Sequence, residues 1–109
     1  MKYAEVKNAL DGTGLPVTYL QWRIGHVPPL PYICYYYPAM DPEAADNVAF
    51  AHQYQLNIEL YTKNKDFETE ALVDEALTAA GMVYTKAESY LNDERMYEVL
   101  YIMEVLIDG

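Results

Sequence analysis

From Val48 to Leu60 the chain alternates without a break. Val48, Phe50, His52, Tyr54, Leu56, Ile58 and Leu60 fall on one side, and Ala49, Ala51, Gln53, Gln55, Asn57 and Glu59 on the other. A period of two over such a stretch is the signature of a strand with one buried face, and a slip of one residue would turn every large side chain into water. The run exceeds the roughly five or six residues of a usual strand, so it is one long strand, a bulged one, or two in succession. Whatever else the chain forms has to pack against it.

The neighbouring segments supply the rest of a sheet. Lys2 to Leu10 places Tyr3, Val6 and Leu10 at helical spacing before two glycines and a proline stop the pattern. Val17 to Ile24 alternates and predicts a first strand; His26 to Pro31 holds three prolines and must project from a sheet; Tyr32 to Tyr37 predicts a second strand. Pro38 to Asp46 is an acidic connection. Beyond the long strand, Asp66 is placed to cap a helix whose stripe is Leu72, Val73, Ala76, Leu77 and Ala80, with Gly81 as its stop. Val83 to Leu91 predicts a strand, Asn92 to Glu94 a turn, and Tyr97 to Ile107 a last strand. The fold class expected is α+β: a mainly antiparallel sheet of four to five strands with two helices packed on one face. Residues 1–109 fit one domain.

Tyr32 to Tyr37 carries aromatic residues on both faces, and the last strand has Leu100 and Ile102 on the side away from its main apolar row. Two helices cover one face only, so the other face calls for a partner. Tyrosine, with 12 copies against 2 Phe and 1 Trp, joins a large apolar ring to a wet hydroxyl, which suits half-buried strands and subunit contacts alike.

Little here resembles catalytic machinery. His26 and His52 are the only histidines; no serine sits in a nucleophile elbow, and no His or Cys pair has metal-ligand spacing. His52 is expected to be half-buried or part of an interface. Asp41, Glu43 and Asp46 lack the glycine and closing glutamate of a calcium loop, and Gly12-Thr13-Gly14 lacks the lysine of a phosphate loop. We therefore expect no catalytic residue, no metal and no cofactor. Seventeen acidic residues against seven basic ones, a net charge of -10, argue against direct sequence-specific binding of nucleic acid. No apolar run approaches the length that crosses a bilayer. Cys34, the single cysteine, is expected to be a small buried filler.

One set of residues carries a family resemblance. It comprises Gly14-Leu15-Pro16-Val17, Pro28-Pro29-Leu30-Pro31-Tyr32-Ile33 with Tyr35 and Tyr37-Pro38, Ala45-Asp46-Asn47, Leu56 to Thr62 with Lys65-Asp66, and Glu94 with Met96-Tyr97 and Tyr101. In these the chain resembles the tail terminator, or tail completion, proteins of long-tailed phages and prophages of Gram-positive bacteria. The resemblance implies a ring, commonly of six copies, that caps the growing tail tube, ends its polymerisation and forms a docking face for the head connector. It implies the chain itself, the major tail tube protein and a connector or stopper protein as partners. The implied location is the tail-head junction of a virion assembled in the host cytoplasm.

In the ring that the resemblance implies, the contact between copies is expected to use Tyr32, Tyr35, Tyr36, Tyr37, Leu100 and Ile102. His26, Pro28, Pro29 and Leu30, with Asp41 and Glu43, are expected to meet the tube or the connector. The rival reading is a small cytoplasmic adaptor that binds a protein or peptide through the proline loop and an exposed strand edge.

Overall fold

A computed structural model of the chain describes residues 1–41 and 51–108. The elements run α1 (Tyr3–Asp11), β1 (Val17–Tyr19), β2 (Tyr32–Asp41), β3 (Ala51–Thr62), α2 (Phe67–Ala79), β4 (Thr85–Leu91) and β5 (Met96–Asp108). The strands form one sheet in the order β1-β2-β3-β5-β4, with β1 parallel to β2 and every other pair antiparallel. This is the expected α+β architecture.

The alternation of β3 sets the register. Ile33 lies opposite Leu60, Leu60 opposite Val99, and Ile58 between Tyr35 and Tyr101, so one face of β2, β3 and β5 is a continuous apolar floor. Both helices lie on it through Val6 and Leu10 of α1 and Val73 and Leu77 of α2, all four fully buried. Asp66 caps α2 as expected: its Oδ1 accepts a hydrogen bond from the Thr69 backbone N–H at 3.0 Å. Gly81, with φ 77°, takes the left-handed position that follows the helix end.

Four expectations need correction. The strand predicted from Val17 to Ile24 stops at Tyr19, because β1 runs parallel to β2 and the chain must travel back before β2 can begin. The reversal starts at Leu20, which has φ 66° and is spanned by a hydrogen bond from the Gln21 N–H to the Tyr19 carbonyl. Pro38 to Asp41, predicted as connection, continues β2. A bulge between Tyr36 and Ala39 absorbs Pro38, which has no N–H to give to the ladder. Leu72 is exposed, and its place against the sheet is taken by Glu70, which is 5% exposed and ion-paired to Lys65 and Lys86. Val83 and Tyr84 precede β4 instead of opening it. Val48, Phe50 and Glu43, with the rest of 42–50, lie outside the described residues.

Candidate functional site

Two surfaces stand out once the core is accounted for. The first is a tyrosine pocket beside the middle of β2. Tyr19 and Tyr35 are register partners on the helix side of the sheet, Tyr37 follows on the same face, Tyr54 comes from β3, and Tyr3 reaches across from α1. Among the described residues these five tyrosines line a pocket of about 400 Å³. Tyr37 is the hub, with centroid distances of 5.4 Å to Tyr3, 5.6 Å to Tyr54, 6.1 Å to Tyr19 and 6.3 Å to Tyr35. Most of these contacts are edge-to-face, the arrangement that the ring quadrupole favours.

The bulge at Pro38 helps to fix the hub, since it leaves the Tyr37 N–H out of the β3 ladder and free to donate to the Tyr19 hydroxyl at 3.1 Å. The nearby Tyr54 hydroxyl, then burial, pushes the Tyr3 hydroxyl up to about 12. Burial raises Tyr35 and, more strongly, Tyr37. These three rings stay neutral at ordinary pH. The pocket offers aromatic faces suited to apolar side chains, to proline rings and to a cation stacked on a ring, and among the described residues no carboxylate lines it.

From this pocket an arm leaves the sheet. The Leu20 N–H donates to the Tyr35 carbonyl at 2.8 Å, which anchors the start. Trp22 then packs edge-on against Tyr32, with centroids 5.8 Å apart. Arg23 to His26 forms a tight turn, closed by the His26 N–H donating to the Arg23 carbonyl at 2.9 Å, with Gly25 at φ 81° in its third position. That geometry thrusts the second residue outward: Ile24 is 100% exposed and Val27 58%. The arm returns through Pro28 and Pro29, and Leu30 and Pro31 line a groove together with Thr62 to Asp66. His26 and Pro29 are exposed, Pro28 and Leu30 half-buried.

The second surface is the sheet face that no helix covers. Along β3 it carries a polar column, Gln53, Gln55, Asn57, Glu59 and Tyr61, flanked on β5 by Glu98, Leu100, Ile102 and Glu104. Gln55 donates to Asn57 at 3.1 Å, Asn57 to the Tyr36 hydroxyl at 3.3 Å, and Gln53 to Glu104. The Tyr61 hydroxyl lies between two carboxylates, bonded to Glu59 and 2.9 Å from Glu98 Oε2. One hydroxyl proton cannot serve both. Burial first, and then the hydrogen bond with Glu98, push Glu59 up to about 7, so it holds its proton far more readily than an exposed carboxylate. Burial and the Glu59 contact likewise raise Tyr61.

The residues expected at a ring contact divide between these surfaces. Tyr36, Leu100 and Ile102 lie half-buried on the uncovered face, Tyr37 is half-buried in the pocket, and Tyr32 and Tyr35, each 8% exposed, are largely consumed inside the chain. His52, expected to be half-buried or part of an interface, is exposed in the chain beside Tyr54. Asp41 is exposed at the end of β2. Cys34 is buried, and burial pushes its thiol up to about 11, in keeping with an inert filler. Among the described residues no group of three or more His, Cys, Asp or Glu side chains could hold a metal ion, and no helix is long and apolar enough to cross a membrane. Sequence reading missed the parts played by Tyr3, Tyr19 and Tyr54 in the pocket, and the Glu59-Tyr61-Glu98 cluster, because each set is assembled from elements distant in the chain.

No protein-family model matches the chain, and no curated protein sequence matches it. Among solved structures, it shares its fold with a chain of a particle described as "Virion of native gene transfer agent (GTA) particle". The likeness covers 98% of this chain and 91% of that one, with a TM-score of 0.60 and 15% sequence identity.

Proposed function

We propose that this chain is a structural protein of a phage-like virion, and that within the virion it forms a ring that caps the tail tube, ends tube growth and receives the head connector. The observation that carries the proposal is the end-to-end likeness of its fold to a chain of a gene transfer agent virion. The sequence resemblance to tail terminator proteins supports the finer part. So does the surface: a chain of 109 residues that leaves Ile24, Val27, Phe67 and Val83 more than half exposed has apolar area to spare for assembly.

Capping needs one surface that matches the tube end and another that refuses further tube subunits. In this reading Tyr36, Leu100 and Ile102, on the uncovered face, contribute to contacts between copies, and the Asp41 end of β2 faces the tube or the connector. The chain's acidity would then repel DNA moving through the hole of the ring. The test is tail assembly with and without the chain. Tubes grown without it are expected to run past their normal length, and adding it back should restore a fixed length; tubes of normal length in its absence would refute the capping role.

A second reading, a strand-adding adaptor, is favoured by one observation: β4 is an edge strand and its outer side has no neighbour among the described strands. It predicts a chain that stays monomeric while binding an extended peptide along β4.

A further inference from the structure

The arm and the tyrosine pocket are complementary surfaces on one molecule. The arm tip presents Ile24 and Val27 to water, followed by Pro28 and Pro29, and nothing among the described residues covers Ile24. Among the described residues the pocket presents five tyrosine rings. Aromatic grooves are the surfaces that proline-rich segments dock into, because proline rings stack on flat faces and bring little conformational entropy to lose. Arg23, at the base of the same turn, makes no ion pair among the described residues and could lie against a tyrosine face as a cation. At about 400 Å³ the pocket is at the small end of the range for ligand sites, room for a few side chains.

We propose that the tyrosine pocket of one copy receives the arm tip, Ile24 to Pro29, of the next copy. This rests on the ring reading above and deepens it, and it moves His26, Pro28 and Pro29 from the tube or connector contact to the contact between copies.

Three features favour a second copy as the occupant. Copies with a net charge of -10 repel each other, so the contact that joins them should be apolar; the arm tip Ile24 to Pro29 holds no carboxylate, and none lines the pocket among the described residues. Arm and pocket are different surfaces, so the contact is head-to-tail, the kind that closes into a ring when the rotation allows. The two halves are also joined stiffly: Tyr19 is a pocket wall, Leu20 is the next residue, and the Leu20 N–H is tied to Tyr35, a second wall. Filling a pocket therefore also steadies the arm that the same copy offers onward.

The test is disulfide trapping between two full-length variants, Val27→Cys on the arm and Tyr3→Cys on the pocket rim, with the buried Cys34 left in place. Both changed positions are about half exposed, so each variant should fold. The mixture is oxidised as free protein and on growing tail tubes, beside a control in which Val83→Cys replaces the arm variant. The expected result is a mixed disulfide dimer formed at least about tenfold faster than with the control, and lost when Ile24→Asp is added to the arm variant. Trapping no faster than the control in both settings would overturn the proposal. If the unmodified chain still limits tube length in that case, the arm contact alone fails and the ring stands; if tube length ignores the chain, the ring reading itself fails. An arm that traps onto the tube protein instead would overturn the proposal in favour of a tube contact.

Discussion

The two faces of the sheet are built on different principles. Under the helices, Ile33, Leu56, Ile58, Leu60 and Tyr101 are all fully buried in the apolar core. On the bare face the same strands carry Gln55, Asn57, Glu59, Tyr61 and Glu98, whose positions are set by hydrogen bonds to one another, with Leu100 and Ile102 only half-buried. One face holds the fold together; the other is left in a condition to meet something else.

The sharpest way to break that contrast is to truncate neighbours on opposite faces. Leu60 lies opposite Val99, and Leu100 is the next residue along β5 on the other side. Leu60→Ala should cost about 2–5 kcal/mol, the lost transfer energy plus a cavity that the floor cannot close. Leu100→Ala should cost about 1 kcal/mol or less in the isolated chain. Urea denaturation measures both. Equal losses would mean that the bare face works as core, and would remove the case for a partner there.

A smaller effect separates the faces by pH. In the folded chain Glu59 is raised to about 7, against roughly 4.3 for an unfolded glutamate. Below the unfolded value both states hold the proton and nothing distinguishes them. As pH rises through the window to about 7, the unfolded chain loses its proton first, so the native state binds more protons and stability falls. Discounted for partial exposure and screening, the loss is about 1 kcal/mol. Glu59→Gln should abolish this fall and leave the protein more stable than the parent above pH 7. Parallel stability curves for parent and variant from pH 4.5 to 8 would show that the carboxylate is ionised in the fold.

The covered face was largely legible in the sequence, because periodicity records which side of one strand is buried. The rows of β3 and β5, the Asp66 cap and the Gly81 stop are all local signals. What escaped was long-range. β1 was read too long because strand direction leaves no mark on alternation: Trp22 and Ile24 continue the pattern of Leu20 but belong to the arm. The pocket joins Tyr3, Tyr19, Tyr35, Tyr37 and Tyr54 from four elements, and only the register brings them together. The abundance of tyrosine, and Tyr3 heading the stripe of a short helix, were the available hints.

The smallest predicted effect tests where the two regions meet, at the root of the arm. Leu20 holds φ 66°, a conformation costly for a side chain with a Cβ and nearly free for glycine. Glycine normally destabilises relative to alanine, since it has more freedom to lose on folding. At this position the order should invert, with Leu20→Gly more stable than Leu20→Ala by about 0.5–1 kcal/mol in urea denaturation. Both lose the same half-exposed side chain, so the difference isolates the backbone. Alanine matching or exceeding glycine would mean that Leu20 does not hold the left-handed conformation in solution, and that the arm is not pinned to the pocket wall. With the inversion present, Leu20 holds the left-handed conformation in solution, and the backbone there sets the direction in which the arm leaves the sheet.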